Sequence, residues 1–211
     1  MHNHETLYAN RWFRVVRDGA FHFVEESAPS NSAAVLVRLT GPGADMGRFV
    51  LENHLRPAAG KTCLEIPRGG GRPGESAAQC AAREVREETG YILKPGQLIR
   101  LGAVRANTAI LAGPVHLFYG TASLRVTDTD GEVDRLVLLT ADELIEHIGT
   151  GVIDDGFTLA ACMQAVINGL LYLPLPRPRD PSAPTKNGLR GIKNAPRTHG
   201  AVKNNLTGEP C

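Results

Sequence analysis

The chain has 211 residues, of which 42% are hydrophobic and 21% charged, a composition that excludes a protein disordered throughout its length. Lys and Arg total 23 against 22 Asp and Glu, giving a formal net charge of +1, which argues against nucleic-acid binding over a whole basic surface. No stretch is long and apolar enough for a membrane span, and the opening MHNHETLYAN lacks the features of a secretion signal. The four cysteines show no metal-binding spacing and are interpreted as buried thiols of a reducing compartment. We therefore expect a cytoplasmic protein with no nucleic-acid or membrane partner.

Two short strands are predicted near the N-terminus. Apolar runs over Trp12–Arg17 and Ala20–Glu26 flank Asp18 and Gly19, and an Asp-Gly pair between such runs is a strong β-hairpin signal. A two-stranded hairpin is marginal by itself, so this one must dock onto another surface. We treat residues 1–32 as a separate N-terminal element.

Residues 33–173 form the predicted main domain. Apolar runs separated by Gly and Pro predict strands over residues 33–40, 48–55, 62–66, 97–106, 115–124 and 133–139. Helices are predicted over residues 76–89, from Thr140 or Asp142 to His147, and from Thr158 to Leu171. Because strands and helices alternate irregularly, we expect an α+β fold in which helices cover a sheet.

Residues 174–211 differ in composition from the rest of the chain. They contain seven of the fourteen prolines, no aromatic residue, seven Lys or Arg and only two Asp or Glu. Such a segment cannot bury enough apolar surface to offset the entropy lost on ordering. It is interpreted as a flexible basic tail that catalysis does not need.

Three glutamates lie on one face of the helix predicted over residues 76–89. Glu84, Glu87 and Glu88 occupy positions i, i+3 and i+4, which are neighbours on a helix surface. Carboxylates are the ligands that Mg²⁺ prefers, and a carboxylate site leaves coordination positions for substrate phosphates. The alternative is an ordinary solvated face, since nearby arginines relieve part of the repulsion between the glutamates.

The segment that contains these glutamates resembles the Nudix box, Gly-x5-Glu-x7-Arg-Glu-U-x-Glu-Glu-x-Gly-U, where U is a bulky apolar residue. The matching residues are Gly69, Glu75, Arg83, Glu84, Val85, Glu87, Glu88, Gly90 and Tyr91. The seven fixed identities, at roughly 7% per residue type, would coincide by chance in about one sequence of this length in a million. Only Tyr91 departs from the usual pattern, because an aliphatic residue is commoner there.

This resemblance implies a fold and a reaction. Nudix hydrolases share an α/β/α sandwich around a mixed sheet, and they cleave nucleoside diphosphates linked to another group with the help of Mg²⁺ or Mn²⁺. On the matching positions, Glu84 and Glu88 are the implied metal ligands and Glu87 is a further one. Arg83 would orient the glutamates through charge-assisted hydrogen bonds, and Glu75 would hold the junction between loop and helix.

The residues before the box are similar to those of the branch that contains ADP-ribose pyrophosphatases and nucleoside-diphosphate-sugar hydrolases. Within Glu52–Gly70, Arg56 and Glu65 match positions that lie near substrate in that branch. The backbone carbonyl of Arg68 matches a further metal ligand, although ADP-ribose enzymes usually have alanine there. The alternatives for Arg56 and Glu65 are a surface arginine and a structural ion pair.

The N-terminal strands also resemble that branch, in which such strands contribute to a homodimer and to nucleobase binding. We therefore expect a homodimer, and Trp12 is a candidate for stacking on the base. As the only tryptophan, Trp12 could instead be a core residue.

Glu132 is the candidate for the catalytic base. It occupies the position of a loop glutamate in the resembling enzymes, within the polar segment TDTDGEVD of residues 127–134. Asp130 and Asp134 could replace it, and the alternative bases are Glu87 and Glu84. The histidines, by contrast, show no nucleophile–base pattern and are interpreted as structural or surface residues.

The sequence as a whole predicts a metal-dependent pyrophosphohydrolase acting on ADP-ribose or a related nucleoside-diphosphate sugar. Two alternatives remain at this point. One is a hydrolase of dinucleoside polyphosphates or another phosphoanhydride, and the other is a ligand-binding module with a Nudix fold and no catalysis.

If Glu132 is the base, Glu132→Gln alone should lower kcat by at least ~10²-fold with little change in KM, since that is the lower range for loss of a positioned proton acceptor. Asp130→Asn and Asp134→Asn serve as matched controls in the same steady-state assay. Small and equal losses in all three variants would place the base in the helix instead.

Overall fold

The computed structural model describes residues 4–27, 30–123, 125–126 and 135–172. The interpretations of Glu132, of residues 127–134 and of the tail over residues 174–211 fall outside the described residues. Cys63, Cys80 and Cys162 are free and buried, as expected. No helix among the described residues is long and apolar enough to cross a bilayer.

The strands form two sheets. Strands β1 to β3 span His4–Ala9, Phe13–Asp18 and Phe21–Glu26 and make an antiparallel sheet in the order β1-β2-β3. The second sheet has seven strands, β4 to β10, which span Ala33–Leu39, Phe49–Arg56, Lys61–Glu65, Arg68–Gly69, Ile99–Val104, Val115–Ala122 and Arg135–Leu139. Its main path runs β10-β5-β4-β9-β8, with β6 on β5 and β7 on β4. Among the described strands of this sheet, β4 and β9 alone pair in parallel, so the sheet is mixed as predicted.

Helices cover both faces of the larger sheet. Helix α1 (Ala77–Thr89) packs on one face, whereas α2 (Ala141–Gly149) and α3 (Gly156–Ile167) lie against the other. Strand β4 shows why, because its residues alternate between the two sides. Val35 and Val37 pack with Val85 of α1, while Leu36 belongs to the cluster that contains Leu144 of α2. The predicted α+β fold with an α/β/α arrangement is confirmed.

Helix α1 begins and ends where its sequence predicts. The Ser76 side chain accepts a hydrogen bond from the backbone of Gln79, whose side chain accepts one from the backbone of Ser76 in return, which is a capping box. The helix ends at Gly90, whose φ of 75° is left-handed. A Cβ there would also lie 2.3 Å from the carbonyl oxygen of Val126, so only glycine fits.

The start of α3 differs from the prediction. The N-cap is Asp155, and its carboxylate accepts hydrogen bonds from both the backbone and the hydroxyl of Thr158. The predicted cap at Thr158 is wrong because Asp155, three residues earlier, reaches the free backbone donors of the first turn. Thr158 is instead buried, and its hydroxyl oxygen accepts from the backbone of Ile66.

The N-terminal element has three strands rather than the predicted two. The sequence of β1, HETLYA, has six exposed residues, so no buried face revealed it. The opposite edge of this sheet docks onto the larger domain, since Val24 of β3 exchanges backbone hydrogen bonds with Ile110 and Ala112. The hairpin therefore finds a surface within its own chain.

We expect this sheet to mediate a homodimer. Leu7 and Phe21 are among its exposed apolar side chains, and within the described residues nothing pairs with the outer edge of β1. Light scattering at micromolar concentration should give twice the 22.6 kDa chain mass. Leu7→Lys combined with Phe21→Lys should give the monomer mass, because charge opposes burial of these two positions in an interface.

The control is Met163→Lys, which adds the same charge at an exposed apolar position on α3. It should leave the dimer intact. A wild-type protein that is monomeric under these conditions would contradict the expectation.

Candidate active site

A cleft of about 870 Å³ lies between the smaller sheet and the C-terminal half of α1. Its walls include Trp12 and Val24 on one side and Glu84, Glu87 and Glu88 on the other. Five arginines also line it, namely Arg11, Arg56, Arg68, Arg72 and Arg83. Carboxylates for a cation and guanidinium groups for an anion therefore share one cavity.

Arg83 organises the glutamates. Its Nε and Nη2 donate to the two oxygens of Glu75 at 2.9 and 3.0 Å, and its Nη1 donates to Glu84 at 2.6 Å and to Glu87 at 2.9 Å. Nη2 also donates to the carbonyl oxygen of Gly70 at 2.8 Å. Hydrogen bonds to charged groups contribute about 1.5–3 kcal/mol each, which exceeds the roughly 0.2–0.5 kcal/mol of repulsion per like-charged helical pair.

The titration of these groups follows from the same contacts. Hydrogen bonds from Arg83 lower the pKa of Glu75 below its ordinary value. Burial raises the pKa of Glu84, and the bond from Arg83 only partly opposes that shift. The ionised form of Glu84 is therefore less stable than that of an ordinary glutamate, and additional positive charge would stabilise it.

The glycine-rich loop lets the backbone approach the glutamates. A Cβ on Gly69 would lie 2.1 Å from the carboxyl carbon of Glu84, and one on Gly71 would lie 1.7 Å from the side-chain oxygen of Asn31. Asn31 in turn donates to the backbone carbonyls of Arg72 and Glu75. The sequence analysis assigned Asn31 no role in the site, whereas in the structure its side chain fixes the loop.

Glu88 and Glu87 occupy different environments. Glu88 is only 5% exposed and accepts a hydrogen bond from the backbone nitrogen of Arg68 at 3.0 Å. Glu87 is more open, and its carboxylate accepts from Nη2 of Arg72 at 3.2 and 3.4 Å. The sequence analysis did not predict a role for the exposed Arg72, although its position within the box indicated that it lies near the site.

Glu52 and His54 were also missed. Ligand atoms of Glu52, His54 and Glu88 all lie within 4.8 Å of one another, so a second set of metal-type side chains, which shares Glu88 with the first, lies beside the cleft. Glu52 is fully buried, and a carboxylate directly after the apolar run Phe49–Leu51 is the signal that could have revealed it. His54, interpreted as structural or surface, lines the cleft.

Two predicted substrate residues form an ion pair. Arg56 donates through Nε to Glu65, and Glu65 is 1% exposed. The guanidinium of Arg68 lies near the other oxygen of Glu65, at 3.4 Å, and over the ring of Phe157, at 5.0 Å. The arginines face the cleft, while Glu65 lies beneath them.

Trp12 is exposed rather than part of the core. It is 65% exposed, lines the cleft, and has the guanidinium of Arg11 4.5 Å above its ring. This exposure contradicts a core position for Trp12, and its role in stacking stays a prediction.

These residues fit a hard divalent cation. Glu84, Glu87 and Glu88 offer carboxylate oxygens. The Glu84 carboxylate has room beside the loop because Gly69 has no side chain. Oxygen donors of this kind suit Mg²⁺ or Mn²⁺ rather than a soft metal.

The fold and this box define the class of protein. The NUDIX domain family profile matches residues 30–156, and the chain belongs to the Nudix family. A solved structure described as an ADP compounds hydrolase superposes with a TM-score of 0.60 at 15% identity, over 80% of this chain and 94% of that one. That similarity concerns the fold.

Two curated relatives are more similar in sequence to this chain than that solved structure is. The ADP-ribose pyrophosphatase of Bacillus subtilis (strain 168) is 29% identical over 132 residues, which cover 59% of this chain and 66% of that protein. A Caenorhabditis elegans protein whose name places it among nudix hydrolases is 44% identical over 69 residues, 33% of this chain and 29% of its own length. The chain thus spans about a third to two thirds of the length of these relatives.

Gly69→Ala should weaken metal binding roughly 10–100-fold, the range typical of groups that hold a ligand in orientation. The added methyl group would occupy the position of the Glu84 carboxylate and displace it. Titration of the protein with Mn²⁺, followed by electron paramagnetic resonance, measures the effect without any substrate.

Gly113→Ala is the matched control, because a Cβ at Gly113 meets nothing within 4 Å. It should bind Mn²⁺ like the wild type. Equal affinities in both variants would show that the close approach of Gly69 and Glu84 has no role in metal binding.

Proposed function

We propose that the protein is a metal-dependent pyrophosphohydrolase. Its substrate would be ADP-ribose or a related nucleoside-diphosphate sugar, and its products a nucleoside monophosphate and a sugar phosphate. The observation that carries the proposal is the group of glutamates held by Arg83 inside an arginine-lined cleft. The name of the Bacillus subtilis relative supports this choice of substrate.

The charges in the cleft suit a diphosphate. A diphosphate carries negative charge that repels both the glutamates and an attacking water. A bound Mg²⁺ or Mn²⁺ supplies charge neutralisation and a lowered pKa for its water. Acidic side chains without such an ion would repel the substrate, so the arrangement makes sense only as a metal site.

Each residue has a separate role in this proposal. Glu84 and Glu88, with Glu87, hold the metal, and the carbonyl of Arg68 is a further ligand. Arg83 fixes the orientation of Glu84 and Glu87 through its hydrogen bonds. Glu132 accepts the proton of the attacking water.

The other end of the substrate would lie toward the smaller sheet. The exposed ring of Trp12 offers a stacking surface for the nucleobase. Arg56 offers donors to a phosphate, and Glu65 holds Arg56 in place from below. Glu65 thereby positions a substrate ligand rather than touching substrate itself.

The alternatives from the sequence are weaker than this proposal. A dinucleoside polyphosphate would bind the same metal and arginines. A substrate assay distinguishes it from a nucleoside-diphosphate sugar, because the two release leaving groups of different size. A binding module without catalysis would have no need of a glutamate cluster in which Arg83 orients Glu84 and Glu87.

Glu88→Gln should lower kcat by orders of magnitude in the presence of Mg²⁺ or Mn²⁺ while the fold remains intact, because a neutral amide is a poor ligand for a hard cation. A panel of ADP-ribose, other nucleoside-diphosphate sugars and dinucleoside polyphosphates, assayed with each metal, measures this loss and identifies the substrate. Thermal unfolding checks the fold.

Activity should also rise with pH. Burial raises the pKa of Glu84, so protons compete with the metal for this carboxylate to a higher pH than for an ordinary glutamate. Full turnover in excess chelator, or near-wild-type turnover by Glu88→Gln, would contradict the metal assignment.

A further inference from the structure

Arg56, Glu65 and Arg68 form a compact unit at the wall of the cleft. Arg56 bonds one carboxylate oxygen of Glu65 through Nε, and Nη2 of Arg68 approaches the other oxygen at 3.4 Å. Two positive charges thus flank one negative charge. Because Glu65 is 1% exposed and its side chain lies beneath the arginines, the excess positive charge faces the cavity.

The guanidinium of Arg68 has hydrogen-bonding capacity left over. Within the described residues its only hydrogen bond from the side chain is the long one to Glu65, and its buried Nε has no partner there. A guanidinium has five N–H donors in a planar fork that matches phosphate oxygens. An arginine with its donors unused at the wall of a cavity is suited to an anion that enters from solvent.

The guanidinium of Arg68 is nevertheless held in position. It lies 5.0 Å from the centre of the ring of Phe157, a residue in the first turn of α3. A cation at this distance is attracted to the ring face. The side chain is 27% exposed, so it is neither buried in the core nor free in solvent. Its backbone nitrogen, in turn, bonds Glu88, which places the residue directly beside the glutamate cluster.

We propose that the side chain of Arg68, together with Arg56, binds a phosphate group of the substrate. This assigns Arg68 a role beyond its backbone carbonyl and makes it a substrate-binding residue. The inference rests on the proposed diphosphate hydrolysis, because it names the group of the substrate that this wall of the cleft contacts. Glu65 and Phe157 are positioning residues that keep the two guanidinium groups in place.

Binding of inorganic diphosphate tests the proposal without turnover. Isothermal titration calorimetry of the full chain with saturating Mg²⁺ should give a Kd for diphosphate about tenfold higher for Arg68→Met than for the wild type, the lower end of what a charge-assisted hydrogen bond contributes. Methionine keeps an apolar stem beside Phe157. Arg68→Gln is a second neutral variant if Arg68→Met has a lowered melting temperature.

Arg86→Met is the matched control, since Arg86 is an exposed arginine of α1 that does not line the cleft. It removes the same charge from the chain and should leave the Kd within twofold of the wild-type value. An equal loss of diphosphate affinity in the Arg68 and Arg86 variants would show that the effect comes from net charge alone, and this would overturn the proposal.

A second measurement needs no variant. Diphosphate should protect Arg68 of the wild-type protein from modification by phenylglyoxal, detected by mass spectrometry, and should not protect Arg86. Equal labelling of Arg68 with and without saturating diphosphate would overturn the proposal.

Kinetics separate this inference from the proposed function. On an active substrate, Arg68→Met should raise KM about tenfold and leave kcat within threefold. If the wild type hydrolyses no substrate of the panel but Arg68 still governs diphosphate binding, the proposed reaction fails and this inference stands. If turnover is normal and both KM and Kd are unchanged in Arg68→Met, only this inference fails.

Discussion

The site depends on one arginine that holds several like charges together. Glu84 and Glu87 lie on the same face of α1 and repel each other, and burial adds a further cost to the ionised form of Glu84. Arg83 contacts both carboxylates and also Glu75 and the carbonyl of Gly70. Because its guanidinium is planar and rigid, one residue fixes the helix relative to the loop before it. The glutamates are therefore positioned before any cation binds.

Positioning in advance has a physical consequence for metal binding. Carboxylates that are already oriented lose little side-chain entropy when they bind a cation. The glycine loop supports the same arrangement, since Gly69 leaves room for Glu84 and Gly71 leaves room for Asn31. The small residues of the loop and the central arginine are thus complementary, because the loop leaves space for the charged groups that lie on the C-terminal half of α1.

The smaller sheet completes the cleft from outside the Nudix core. Strand β3 docks through Val24 onto the segment around Leu111, and this contact brings Trp12 to the cavity. The apolar and aromatic end of the cleft therefore comes from the N-terminal element, whereas the charged end comes from the box. Changes in the N-terminal strands could alter recognition of the substrate without disturbing the glutamates.

The sequence by itself determined the local features. The capping box at Ser76, the glycine at position 90 and the spacing of the glutamates fix α1 through contacts within a few residues, so short-range patterns were sufficient. The apolar run of β4 likewise predicted a strand. The match to the Nudix box belongs to the same category, because its residues are close together in the chain.

Only the tertiary structure decided which distant residues meet. Glu52, His54 and Asn31 come from segments far from the box, and no local pattern links them to it. The exposed strand β1 escaped notice because a strand without a buried face leaves no period-two pattern. Glu65 illustrates the same limit. Its sequence position suggested contact with substrate, but pairing across strands and burial beneath two arginines make it a support for them. Long-range pairing and burial are properties of the folded chain, and a single sequence carries them only indirectly.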